Sequence, residues 1–332
     1  MAAGKLLDVA FIVACRAALL VALPASAVAQ SPGAARAVET VAENDLFLVR
    51  GRGAPPDYDY THGTRARVTW SSAPGLIARA VHADSSCRAA ESRAAGCVTT
   101  AAALTQDIYT PRHDGVAPVP GERPYAGWLG LSLGAARITP GVTRSLSLEA
   151  GVTGRPSLAE DAQMDIHRLV RTGPQLGWGH QLASRGTLGA RYGESRRFER
   201  PAAGTRSVAA HLRWEGAVGN ALTALSGGGD LEIASRDGAP WSPATPDVPH
   251  PSRLFARIAV RGDAVLRSAV IEGWRRGDAA VRRPLVAEGE IATGVRWRRY
   301  AVEYSAVLRG PEYRAAPAAH PWGSFRLTVD GY

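Results

Sequence analysis

Two-residue alternation of apolar and polar side chains runs through most of this chain, and no other feature limits its fold as much. Leu129, Leu131, Leu133 and Ala135 alternate with Gly130, Ser132 and Gly134, and Leu146, Leu148, Ala150 and Val152 with Ser145, Ser147, Glu149 and Gly151. Val208, Ala210, Leu212 and Trp214 oppose Ala209, His211, Arg213 and Glu215. Ile291 to Trp297 and Tyr300 to Leu308 repeat the pattern, with weaker versions near 60–70, 186–195, 230–234, 254–262 and 324–332. Successive side chains of a strand point to opposite faces, so these are strands with one apolar face. The other face carries arginine and glutamate. In a soluble sandwich that face meets bulk water; in a membrane barrel it lines the lumen, and the apolar face meets lipid. About twelve strands are readable, an even number as in single-chain bacterial barrels. The expected fold is all-β, a transmembrane antiparallel barrel, with a soluble periplasmic sandwich as the alternative.

The N-terminus tilts the balance toward the barrel. Residues 1–29 read as a secretory signal peptide: Lys5 supplies the basic region, Ala17–Leu23 the apolar core, and Ala27-Val28-Ala29 the cleavage site. Residues 30–332 then form one outer-membrane barrel domain. The chain is 45% hydrophobic with a mean hydropathy of -0.10, too apolar for disorder. Beyond residue 30 no stretch approaches the roughly 18 apolar residues of a spanning helix. Trp70, Trp128, Tyr300 and Tyr332 lie near strand ends, where interfacial aromatic girdles form. The net charge is +9 and Lys5 is the only lysine. The arginines alternate with acids along strands and make no single patch, so nucleic acid is not an expected partner. Cys87 and Cys97 flank a polar stretch without a metal-ligand pattern. In an exported chain such a pair is a structural disulfide.

With the N-terminus in the periplasm, strand one (38–48) runs outward, strand two (60–72) returns, and strands three to five (98–109, 124–136, 143–153) continue the meander. Five unusual segments then share the external rim: Glu43-Asn44-Asp45, Asp59-Tyr60-Thr61-His62-Gly63, Gln106 to Pro111, Glu122 to Trp128, and the loop after Gly154. In that loop Ser157-Leu158-Ala159-Glu160 has the form of a capping box with Ser157 as N-cap. The helix it opens would run to about Val170, before Gly173-Pro174. Gln163 and His167, one turn apart, share a face of it, with Glu160 on roughly the same side.

These segments, in this order, resemble the outer-membrane lipid A 3'-O-deacylases: Asn44-Asp45, Tyr60-Thr61-His62-Gly63, Gln106-Asp107-Ile108-Tyr109-Thr110-Pro111, Arg123-Pro124-Tyr125-Ala126-Gly127-Trp128 and Gln163-x-x-x-His167. The resemblance runs from about residue 43 to Gln181 and continues more weakly to the C-terminus. It implies a twelve-stranded barrel that removes the 3'-linked acyl or acyloxyacyl chain of lipid A in the outer leaflet, dependent on calcium. It implies a site between the barrel wall and an extracellular-loop helix. His167 would then be the general base, Gln163 would orient water or substrate, and Asn44, Asp45 and Thr61 would line the site. Asp45 would lie beside the metal, which stabilises the oxyanion. Lipopolysaccharide, the outer membrane and, during biogenesis, the barrel-assembly machinery are the implied partners. Asn44 and Asp45 are adjacent, so both serve one site only where the strand ends or bulges. The family has a lysine after its Gln-Asp-Ile-Tyr segment; here Arg112 is the substitute, with Glu160 a second expected substrate contact. Gly173 stands where the family has a glutamate.

Two rivals remain at this stage. A non-catalytic barrel, either a narrow pore or a lipopolysaccharide-binding protein, suits the missing lysine and glutamate. An outer-membrane phospholipase built on Ser, His62 and Asn has no serine at a convincing spacing.

Overall fold

The computed structural model describes residues 35–48, 58–71, 96–113, 115–201, 206–235, 250–275 and 279–330. The expected signal peptide, Cys87 and Tyr332 lie outside them. Twelve strands form one closed antiparallel barrel: β1 (Ala35–Asn44), β2 (Asp59–Trp70), β3 (Cys97–Thr110), β4 (Ala126–Thr139), β5 (Val142–Thr153), β6 (Gly186–Pro201), β7 (Arg206–Gly219), β8 (Leu222–Ser235), β9 (His250–Ser268), β10 (Leu285–Arg298), β11 (Tyr300–Arg309) and β12 (His320–Asp330). Each strand pairs with the next, and β12 closes on β1 from Asn44↔Gly323 to Ala37↔Asp330. Closure leaves no unpaired sheet edge, the condition for strands to cross a bilayer. Among the described residues no helix is long and apolar enough to cross a membrane.

The alternation in the sequence becomes the inside and outside of the wall. Leu131, Leu133, Leu146, Leu148, Leu212, Ile258, Val260, Ile291 and Leu308 project outward and stay exposed. The polar face turns inward, and its charges pair. Arg191 on β6 bridges Glu149 of β5 (2.7 Å) and Glu215 of β7 (2.9 Å). Arg257 holds Glu290 and Glu303, each at 2.8 Å, and Glu303 also accepts from Arg326 at 3.2 Å. Arg309 binds Glu288, Asp263 and Glu312. Trp128 departs from its expected place in a girdle. Its register partner is Asp107, its Nε1 donates to Thr187 Oγ1 (2.9 Å), and a Cβ at Gly130 would stand 2.2 Å from its ring. The indole therefore lies inside. Tyr300 keeps to an exposed strand end, stacked on Trp297.

Odd strands end, and even strands begin, at one rim. The connections there carry all five unusual segments of the sequence, including helix α1 (Ala159–Val170) between β5 and β6. Cys97 opens β3 at the opposite rim and is disulfide-bonded.

Candidate active site on the outer wall

Strand β1 ends at Asn44, earlier than the sequence suggests. Its side chain caps a 3-10 turn, Asp45–Phe47, with Oδ1 accepting from Leu46 N at 2.8 Å. This change of geometry removes the difficulty of two adjacent site residues: Asn44 belongs to the strand and Asp45 to the turn, and both are buried. The turn folds over β12. Phe47 packs edge-on against Phe325 with centroids 5.4 Å apart, and its carbonyl accepts from Tyr304 Oη. A Cβ at Gly323 would stand 2.6 Å from the Phe47 main chain, so only glycine admits the turn there.

Register shows which way the site faces. Asn44 pairs with His62, His62 with Ile108, and Ile108 with Gly127. Gly127 lies on the face of β4 that carries exposed Leu131 and Leu133, so this row faces outward. The neighbouring row, Glu43, Gly63, Asp107 and Trp128, faces the lumen. Between Tyr60↔Tyr109 and His62↔Ile108 the pairing skips Thr61, which sits in a β-bulge. Its hydroxyl lies 2.7 Å from that of Thr110, and both residues are buried. His62 bridges Asn44 Nδ2 (3.4 Å) and Thr64 Oγ1 (2.7 Å).

Helix α1 closes over this row from the other side. A Cβ at Gly127 would fall 2.2 Å from Ala159 Cβ, so the helix start rests directly on the strand. Gln106 Nε2 donates to the Ser157 carbonyl at 2.7 Å. The expected capping box is not formed. The N-cap is Leu158 in a left-handed conformation, and the Ser157 hydroxyl donates instead to the Gly154 carbonyl at 2.6 Å. The rest of the helix matches its expectation: it ends at Val170, and Ala159, Gln163 and His167 form its buried face. Ile108, Tyr125, Ala159 and Trp178 pack as a small core beneath it.

Two contacts orient the candidate side chains. Trp178 Nε1 donates to Gln163 Oε1 at 2.8 Å, fixing the amide. His167 Nδ1 lies 2.6 Å from the Gly173 carbonyl oxygen. A carbonyl only accepts, so Nδ1 carries the proton and Nε2 is the basic nitrogen. The position that lacks the family's glutamate thus supplies an acceptor through its main chain. Glu160 is half-buried and accepts from Gln181 Nε2 at 3.4 Å.

Arg112 is placed in a charged cluster at the rim. It binds Asp59 at 2.7 Å, donates to the Ala318 carbonyl and lies 4.2 Å from the Tyr58 ring centroid. Burial works against its charge, but Asp59 outweighs burial and raises its pKa. Arg123, fully buried, pairs with Glu312 at 3.0 Å over the Tyr109 ring. Burial pushes the Glu312 carboxyl up; Arg123 and Arg309 outweigh it and hold the pKa below its ordinary value. His62 and Trp178 are the residues whose part in the site sequence reasoning missed. The sequence offered His62 within the matched segment Tyr60 to Gly63 and in the phospholipase rival, but not as a partner of Asn44; for Trp178 there was no signal.

A closed twelve-stranded barrel with an apolar outer wall, and a helix whose buried face carries Gln163 and His167 against that wall, defines an outer-membrane barrel with a candidate site on its outer face. The family model for Outer membrane protein LpxR matches residues 13–330, and the chain belongs to that family, the lipid A 3'-O-deacylases its motifs resemble. Membership supports a lipid A deacylase role and places the protein in the outer membrane. LpxR from Salmonella typhimurium superposes with a TM-score of 0.71 at 16% identity, over 89% of this chain and 100% of that one, a likeness of fold. The beta domain of the Bordetella autotransporter BrkA gives 0.47 at 11% identity, over 90% and 99%. No curated protein matches the chain by sequence.

Proposed function

We propose that the protein hydrolyses the 3'-linked acyl or acyloxyacyl ester of lipid A, using water activated by His167. The observation that carries this reading is the His167 Nδ1 bond to the Gly173 carbonyl, which leaves Nε2 as the proton acceptor on the helix face turned to the wall. His167 takes the proton of the attacking water at Nε2. Gln163, locked by Trp178, orients that water or the ester. Asn44 and Thr61 shape the wall opposite. The released acid and sugar hydroxyl form without an acyl-enzyme.

Calcium fits the residues present. Among the described residues no three His, Cys, Asp or Glu gather as a metal cluster, so a cation here would rest on neutral oxygens beside a single carboxylate. Asp45 offers one buried carboxylate in a turn, and calcium accepts a carboxylate together with neutral oxygen donors. Asp45 with oxygens of the turn and bulge would hold it. When bound it would polarise the ester carbonyl and stabilise the oxyanion. Chelation is expected to stop acyl release, and added calcium to restore it; release that persists in chelator would remove the metal from the mechanism.

The lumen pairs of Arg191, Arg257 and Arg309 argue against a narrow pore. The deciding experiment is mass spectrometry of lipid A from outer membranes carrying the protein or its His167→Ala variant, with calcium present. Loss of one 3'-linked chain, absent in the variant, is the expected result. Unchanged lipid A beside a folded, heat-modifiable barrel would favour a non-catalytic lipopolysaccharide-binding barrel. Activity in the variant would remove His167 as base.

A further inference from the structure

At the same rim, beyond the site, two arginines converge on one indole. The Arg185 guanidinium lies 5.5 Å and that of Arg267 5.8 Å from the centroid of the Trp274 ring. The arrangement is built rather than incidental. Asn220 donates to the Gly186 carbonyl and accepts from Leu188 N, fixing the start of β6 beside Arg185. Its own carbonyl accepts from Arg267 Nε at 2.5 Å. Trp274 Nε1 donates to the Ala183 carbonyl, and Thr153 N bonds the Arg185 carbonyl at 2.9 Å. One scaffold thus sets both cations and the ring they share.

Among the described residues no acid neutralises the charge of this cluster: neither guanidinium ion-pairs with one, in contrast to the luminal arginines. Both also stand at a fixed depth. Leu188, Val218 and Leu266, all outward and exposed, begin the apolar belt immediately below them. Arginines just above such a belt lie at headgroup level.

We propose that Arg185, Trp274 and Arg267 form a binding site for a phosphate monoester on a lipid headgroup. The chemistry selects the monoester. Its charge near neutral pH is about −1.5 to −2, as for a phosphorylated side chain, matching two cations; a phospholipid diester carries one charge and matches one. Guanidinium is also the group that binds phosphate through paired N–H donors. In the leaflet that the proposed function assigns to this rim, the phosphorylated sugar of lipid A is the ligand with this chemistry. The ligand's identity, but not the cation pair, rests on that reading.

The test measures binding in the absence of turnover. Full-length barrel carrying His167→Ala, with or without Arg185→Gln and Arg267→Gln, is titrated with bis-phosphorylated lipid A, with the same lipid after phosphatase treatment, and with phosphatidylglycerol. The double variant is expected to weaken binding of the phosphorylated lipid tenfold or more. It should leave the dephosphorylated lipid unchanged and cost phosphatidylglycerol less than lipid A. Equal binding by parent and variant overturns the site, as does an equal loss for phosphorylated and dephosphorylated lipid. A loss as large for phosphatidylglycerol as for lipid A overturns the monoester assignment. Heat-modifiable mobility of each variant confirms folding, and the single variants, each keeping one cation, should fall between. Because the readout is binding, a failure of the hydrolytic reading would appear separately, as unchanged lipid A in the membrane assay.

Discussion

At the scale of single residues, the site depends on what holds each functional atom. His167 is oriented by a main-chain carbonyl, so the side chain at position 173 should matter little. A Cβ there would meet nothing within 4 Å, and Gly173→Ala is expected to keep near-parental acyl release by mass spectrometry. His62 makes a sharper case. Its Nδ1 faces Asn44 Nδ2 and its Nε2 faces Thr64. The amide oxygen of asparagine superimposes on Nδ1, whereas the amide of glutamine reaches Nε2. His62→Asn should therefore preserve kcat, and His62→Gln should lower it about tenfold, the order of one lost hydrogen bond of about 1–1.5 kcal/mol. KM should change little in either; equal kcat for the two would remove His62 from the positioning of Asn44. The sequence made Gln163 and His167 legible through their spacing on one helical turn. It hid the part of His62 beside Asn44, because that contact exists only through cross-strand register.

Elements meet the wall through glycines. Gly127 lets α1 rest on β4, and a valine there is expected to lift the helix while leaving the barrel paired. Displacing His167 by about an ångström costs on the order of 100-fold in rate. The accompanying signal would be a red-shifted tryptophan emission as Trp178 leaves its core with Tyr125, a ring pair now at 5.1 Å. Unchanged emission and activity would mean that α1 does not depend on this contact. The strands were legible because a two-residue period leaves no other solution for a wall wet on one face and dry on the other. The start of α1 was not. The capping-box pattern was present, yet the close approach to Gly127 sets the chain into a 3-10 turn at Arg155–Ser157, and Ser157 is consumed by Gly154. Local capping preference lost to packing.

For the whole molecule, the closed barrel is held inside by paired charges. Glu303 accepts from both Arg257 and Arg326, and Glu303→Leu would leave Arg257 with Glu290 alone and Arg326 with Glu39 at 3.8 Å. The expected loss is about 1–3 kcal/mol, read as a lower temperature of heat-modifiable unfolding; an unchanged midpoint would show the pairs contribute nothing net. Acid acts in the same direction at the rim. Glu312 has a depressed folded pKa, so its stabilisation is complete above the unfolded value and is lost as pH falls through the folded one. Unfolding at constant temperature should accelerate below the ordinary carboxylate range, less so in Glu312→Gln. The polar strand faces could be read as luminal from the sequence, but which arginine meets which acid depends on register and shear. Finally, the row from Asn44 to Gly127 lies on the outer face of the wall, the face that meets lipid. A reaction run there is a problem in two dimensions. The quantity that sets its speed is the mole fraction of substrate among neighbouring lipids, so diluting the membrane with inert lipid should slow it while adding more buffer should not.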